Sequence, residues 1–123
     1  MSLLLSVKLS FNEASKKNDA SIVDINGDLM LVPQASIGGK LKGKVIQYHA
    51  NVAKDEGAEL YHALVRTLKR SVTGERIPVE EGGEGSGAAD GAGGIRRFAY
   101  GTYGNQQVLD MTSAGPFTHI IEI

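Results

Sequence analysis

One segment limits the fold more than any other. Between residues 54 and 72 the apolar side chains Ala58, Tyr61, Leu64, Val65 and Leu68 recur at helical spacing, which lays them along one stripe of an α-helix. Asp55, Glu56 and Glu59 crowd its first turns, and Arg66, Lys69 and Arg70 its last. Each sign complements the partial charge of its helix end, and Gly74 is placed to stop the helix.

The other apolar segments read as strands. Leu3, Leu5, Val7 and Leu9 alternate with Ser2, Leu4, Ser6 and Lys8, the pattern of a strand with one side in a core. The same stretch is too short and too early interrupted by Lys8 to be a signal peptide or a membrane span. Residues 20–25 (ASIVDI) and 28–32 (DLMLV) flank Asn26 and Gly27, a pair that favours a type I′ hairpin turn and so predicts an antiparallel strand pair. Residues 45–52 fit a short strand or an irregular approach to the helix. Further strands are expected at 97–100, 106–111 and 117–123, with turns at 101–105 (GTYGN) and 112–116 (TSAGP). In the last, Phe117, His119, Ile121 and Ile123 share one side and should finish in the core. The expected architecture is mixed α/β, mostly antiparallel, with one long helix.

Residues 80–94 (EEGGEGSGAADGAGG) hold nearly half of the 16 glycines and no large apolar side chain. Such a stretch cannot repay its ordering entropy and is expected as a mobile insertion in a single domain spanning residues 1–123. Its acidity and its lack of lysine and arginine argue against a phosphate cradle. An apolar fraction of 41% and a charged fraction of 22% are those of a globular protein. A formal charge of −1 means that any nucleic-acid contact must come from a local patch. With no cysteine, disulfides, thiolate nucleophiles and Cys-type zinc sites are excluded, which fits a cytoplasmic protein. His49, His62 and His119 share no metal-ligand spacing, and no GxSxG elbow or Ser/His/Asp set is evident. No metal or cofactor is expected.

Residues 28–44 (DLMLVPQASIGGKLKGK) hold the candidate chemistry. Pro33 ends or edges the strand, Gln34, Ala35 and Ser36 follow at its carboxyl end, and Gly38 and Gly39 permit close backbone approach. Lys40, Lys42 and Lys44 then occupy alternate positions and point one way if the chain is extended. The pattern suits a site for the end of a polyanion; a solvated basic hairpin is the other reading, and a serine beside a glycine turn, as Ser36 is, is more often a turn former than a nucleophile.

The runs LVPQASIGGKLKG at residues 31–43 and SAGPFTH at 113–119 resemble the two signature motifs of the D-aminoacyl-tRNA deacylase (DTD) superfamily, its SQFTL-type and Gly-Pro motifs. The PQAS form, GGKLKG, QYHANVAKDEGAELY and GTYGNQQVL are most similar to the second eukaryotic, animal-type branch. The resemblance runs from about Leu4 to the last residue around the glycine-rich insertion. It implies a DTD-like fold that here lacks the family's N-terminal strands. It also implies a homodimeric proofreading hydrolase, without cofactor and with no membrane association, that cleaves the ester of mischarged D-aminoacyl- or L-alanyl-tRNA. By carry-over, Gln34, Ala35 and Ser36 form the catalytic motif, and Pro33, Gly115, Pro116, Phe117 and Thr118 bind substrate. Gly115 and Pro116 would act from the other subunit as a chirality gate, and Lys40, Lys42 and Lys44 would contact tRNA phosphates. Backbone amides of Ala35, Ser36 and Ile37 are the expected oxyanion donors, with Ser36 as a positioning hydroxyl. Ser36 stands where many relatives carry threonine. The alternatives are an RNA-end-binding module of the same fold without turnover, a hydrolase of another activated ester, and an oligomerising structural domain.

Overall fold

The computed structural model describes residues 2–73, 94–115 and 117–122. In order, the elements are helix α1 (Ser2–Ser6), strands β1 (Ser10–Asn12), β2 (Lys17–Ala20) and β3 (Asp28–Leu31), a 3-10 turn (Ala35–Gly38), strands β4 (Lys40–Lys42) and β5 (Val45–Gln47), helix α2 (Lys54–Thr73) and strand β6 (Arg97–Tyr100). The expected Gly74 stop, residues 80–93 of the glycine-rich insertion, Pro116 and Ile123 lie outside the described residues.

α2 forms where its apolar stripe placed it. Tyr61, Val65, Leu68 and Val72 are buried with Ile95 and Phe98 as one core, and Leu5, Ile22, Val23, Leu29, Leu31, Leu64, Tyr100 and Tyr103 pack around it. The spacing of the buried helix positions is that of one face. β3 and β6 supply the opposing layer. They pair in parallel, Asp28 opposite Arg97 through to Leu31 opposite Tyr100. Two further bonds lengthen the ladder, Arg96 N–H to the Gly27 carbonyl and Gly101 N–H to the Leu31 carbonyl, both 2.9 Å. Arg96 forks Asp28 with Nε at 2.9 Å and Nη2 at 2.7 Å, and Arg97 joins the same carboxylate. Two antiparallel pairs, β1 with β2 and β4 with β5, complete the strands among the described residues.

Three expectations are corrected. Residues 21–26 are not a strand of an Asn-Gly hairpin but a hydrogen-bonded turn, the Ile25 N–H on the Ser21 carbonyl at 3.2 Å, closed at both ends by bonds of the kind that cap helices. The Ser21 hydroxyl accepts the Asp24 N–H at 3.2 Å, and the Asp24 carboxylate accepts the Ser21 N–H at 2.8 Å, a reciprocal capping box. Asn26 adopts φ 50°, and Gly27 N–H reaches the Ile22 carbonyl while Asn26 N–H reaches that of Val23, the bond pair of a Schellman stop. A type I′ turn competes with these local side-chain bonds, and they win; β3 is left to pair with β6. The N-terminal leucines form α1, not a strand, because a helix satisfies its backbone bonds internally, whereas a strand needs a neighbour. Residues 106–111 and 117–122 carry no ladder, and Val108 (96% exposed) and Ile120 (93%) stand in the open. The final segment therefore does not finish in this chain's core.

Leu68 is 2% exposed at the centre of the core. Leu68→Ala should lower unfolding free energy by about 2–5 kcal/mol, read from the shift in urea midpoint at unchanged m-value. Among the described residues, two structural carboxylates contribute to the acid response. Asp24, held by the Lys8 ammonium and then by Ser21, and Asp28, held by Arg96 and then Arg97, lie well below the usual carboxylate range. The unfolded chain thus takes up these protons first as pH falls. Their stabilisation is complete above about pH 5 and is lost progressively as pH falls from the ordinary carboxylate range down through their own lowered values. Asp28→Asn should lower the melting temperature at neutral pH and flatten its decline on acidification, as followed by circular dichroism.

Candidate functional site

Parallel pairing sends the chain out of β3 and out of β6 over the same edge of the sheet, the edge where open α/β sheets place their ligands. A cavity of about 670 Å³ opens there. Pro33, Gln34, Ala35 and Gly38 line it from the segment after β3. Asn51, Val52, Lys54, Gly57, Leu60 and Tyr61 line it from the start of α2, and Tyr103, Gly104, Asn105 and Gln106 from the segment after β6.

Each wall has a local cause. Pro33 cannot donate to the ladder, β3 ends at Leu31, and the chain turns into the 3-10 segment with Gln34 as its N-cap in extended conformation. Within that turn Ile37 N–H points to the Gln34 carbonyl at 3.4 Å and Gly39 N–H bonds that of Ser36 at 3.1 Å. Gly57 is required on the helix wall. A Cβ there would lie 2.2 Å from the Tyr103 hydroxyl oxygen and 3.1 Å from Val52 Cγ1, so its absence admits the Tyr103 ring beside α2. The Tyr61 and Tyr103 rings stand 5.7 Å apart, tilted by 33°. The Tyr61 hydroxyl donates to the Gly101 carbonyl at the exit of β6. Burial pushes the Tyr61 phenol above its ordinary value, so it remains a neutral donor. The lining thus offers two aromatic rings, amide side chains from Gln34, Asn51, Asn105 and Gln106, and one cation, Lys54.

The expected site residues are only partly gathered here. Pro33, Gln34 and Ala35 line the cavity; Ser36 belongs to the same turn but is exposed outside the lining. Lys40 and Lys42 lie on β4 and Lys44 in the two-residue Gly43–Lys44 connection to β5, where Lys42 faces Val45 and Gly43 takes φ 63°. This is a basic hairpin with all three lysines in solvent, and only Lys40 and Lys42 share a strand. Gly115, at φ 136° with its N–H on the Ser113 hydroxyl at 3.3 Å, and exposed Phe117 and Thr118 are not among the lining residues. The Phe117 ring meets His119 edge-on at 4.5 Å. Pro116 is outside the described residues. Asn51, Tyr61 and Tyr103 were not singled out by their residue types. Asn51 and Tyr103 had no signal beyond lying in runs, QYHANVAKDEGAELY and GTYGNQQVL, that carry the family resemblance, whereas Tyr61 was also placed on the buried stripe of α2.

Over residues 2–122 the sequence matches the family described as D-Tyr-tRNA(Tyr) deacylase. The chain belongs to this family. It is 40% identical over 125 residues to D-aminoacyl-tRNA deacylase 2 of Homo sapiens, covering 97% of this chain and 62% of that protein. To D-aminoacyl-tRNA deacylase 2 of Gallus gallus it is 36% identical over 122 residues, covering 99% and 64%. The solved structure of "a probable eukaryotic D-amino acid tRNA deacylase" superposes with a TM-score of 0.62 at 36% identity, over 95% of this chain and 68% of that one. The chain therefore spans a little under two thirds of the length of these curated relatives, and its fold is the family's. Among the described residues, no helix is long and apolar enough to cross a membrane, and no group of three or more His, Cys, Asp or Glu is assembled as metal ligands.

The Tyr61 bond ties the helix wall to the exit of β6, and it is testable apart from any activity. Tyr61→Phe keeps the ring and removes the donor to the Gly101 carbonyl, which should cost about 1–3 kcal/mol of unfolding free energy. Tyr103→Phe, which does not touch that bond, should cost less in the same denaturation series.

Proposed function

We propose that this chain hydrolyses the ester joining an amino acid to the 3′-terminal adenosine of a mischarged tRNA. The observation that carries this reading is the cavity at the carboxyl ends of β3 and β6, walled by the Pro33–Gln34–Ala35 run of the first family motif. The relatives' names, D-aminoacyl-tRNA deacylase 2, point to the same substrate class.

The chemistry asks little of titratable side chains. An aminoacyl ester is already activated, and its neighbouring ribose hydroxyl can take part. The protein's task is to hold the ester and offer N–H groups to the developing oxyanion. The first N–H groups of a 3-10 turn have no partner within it, which favours the amides of Ala35 and Ser36. The Ile37 amide is turned back toward the Gln34 carbonyl and is a poorer candidate than sequence reading made it. Gln34 and Ala35 line the substrate, and Ser36 positions it without becoming a covalent nucleophile.

The remaining roles follow the family resemblance. Lys40, Lys42 and Lys44, free in solvent on the β4–β5 hairpin, contact acceptor-end phosphates. Gly115, Pro116, Phe117 and Thr118 serve the cavity of a second copy in a homodimer. Gly115, Phe117 and Thr118 are exposed and do not line this chain's own cavity, which supports that arrangement. The chain acts as one domain in the cytoplasm.

The test is ester loss from D-aminoacyl-tRNA, glycyl-tRNA and L-alanyl-tRNA incubated with the protein. Turnover of any one is expected. Binding without turnover would favour an RNA-end-binding module, and neither binding nor turnover by folded protein would sink the reading. Replacing all three lysines by glutamine should weaken tRNA binding and reduce the slope of log affinity against log salt by about 2, the share of three phosphate contacts on a single strand.

A further inference from the structure

One amide side chain at the cavity has a geometry that its lining role leaves unexplained. Asn51 reaches back 16 residues, and its Nδ2 donates to the Ala35 carbonyl at 3.0 Å. Its carboxamide also occupies the place where a side chain at Gly38 would begin. An ideal Cβ there would lie 1.9 Å from Oδ1, 2.9 Å from Cγ and 3.3 Å from Nδ2. The carboxamide thus spans the 3-10 turn from its first residue to its last. Asn51 is itself fixed, its own N–H bonding the Tyr48 carbonyl at 3.0 Å in the turn that leads to α2. The 3-10 turn has no such anchor of its own, since the side chain of its N-cap, Gln34, makes no capping bond.

We infer that Asn51 is a positioning residue for the proposed reaction: it clasps the Ala35–Gly38 turn against the start of α2 and sets the backbone that faces the ester. The inference rests on the deacylase reading for its effect on turnover, whereas the clasp itself is independent of it. Gly38 is the complementary half, because only a residue without a Cβ leaves room for the carboxamide. Misplacing a reacting group by about 1 Å costs on the order of 10²-fold in rate, and the clasp acts on the turn without touching the ester.

The test is a cycle of Asn51→Asp, Asn51→Ala, Gly38→Ala and the double variant Asn51→Ala with Gly38→Ala. Asn51→Asp keeps the shape and replaces the donor by an acceptor that faces the Ala35 carbonyl. Each single variant should lower kcat by roughly 10- to 10²-fold with KM changed little. The double variant should be no worse than Asn51→Ala alone, because the new methyl group enters space the carboxamide has left. Amide hydrogen exchange at residues 35–38 should quicken in Asn51→Asp while the melting temperature holds. That readout decides the clasp even if the wild-type protein proves not to turn over aminoacyl-tRNA, an outcome that would remove the deacylase reading alone. Unchanged kcat and unchanged exchange would overturn the inference. A raised KM at constant kcat would also overturn it, making Asn51 a direct substrate contact, and so would strictly additive losses in the double variant.

Discussion

The parallel ladder between β3 and β6 is the constraint on which the rest of the structure depends. Its strands lie far apart in sequence, with Arg97 bonding Asp28 across 69 positions. Closing a loop of that length costs about 4 kcal/mol in chain entropy before any contact forms. Apolar burial of Ile95, Phe98 and the α2 stripe provides the main return. The arginine fork on Asp28 adds direction: two neighbouring guanidinium groups meet one carboxylate at the first pair of the ladder, where a slip by one residue would separate them and turn Phe98 out of the core. Register and parallel sense are thereby fixed together, and the parallel sense brings Pro33 and Tyr103 to one edge.

What collects at that edge is shaped by backbone and packing more than by charge. Among the described residues, the groups displaced from their ordinary acidity are Asp24 and Asp28, which are structural clasps, Arg96, and Tyr61, whose phenol is made less acidic. Tyr61 serves two layers at once. Its ring completes the core with Val65 and Phe98, and its hydroxyl pins the exit of β6 beside the cavity. Core stability and cavity shape share this residue. A reaction that needs a held ester and fixed amide donors is well served by such coupling, because the precision of the donors then comes from the core and not from mobile side chains.

The elements legible in the sequence are those whose signal is long or doubly encoded. α2 carries five apolar positions in phase and charges of the right sign at both ends, and it forms within one residue of the expected limits. β3 and β6 also fall where their apolar runs end at Pro33 and Gly101. Residues 21–26 were misread because Ile22 and Val23 are β-branched and Asn26–Gly27 imitates a hairpin. The Ser21-to-Asp24 spacing, a capping box in plain view, was the stronger local signal. Of the candidate site, Pro33, Gln34 and Ala35 were legible as the exit of a strand. Asn51 and Tyr103 were not, and Tyr61 was legible only as a core position of α2, because their places at the cavity come from contacts between segments far apart in sequence that no local pattern encodes.

The misplaced strands carry information of a different kind. Alternation in residues 117–122 and the apolar side chains of 106–111 are demands for burial, and a single copy of the chain does not meet them: Val108, Leu109, Met111, Phe117 and Ile120 are all exposed. The β4–β5 hairpin repeats the situation with Leu41, Val45 and Ile46. Scattered exposed apolar residues need no cause, but runs of them on one segment do. The second family motif, residues 113–119, leads into the last of the terminal runs. The homodimer proposed above would meet the burial demand of this segment. On that reading the periodicity of residues 117–122 is faithful to the assembly and misleading only for the isolated chain. The sequence pattern specifies burial without specifying what provides the cover, and the described residues of this chain do not provide it.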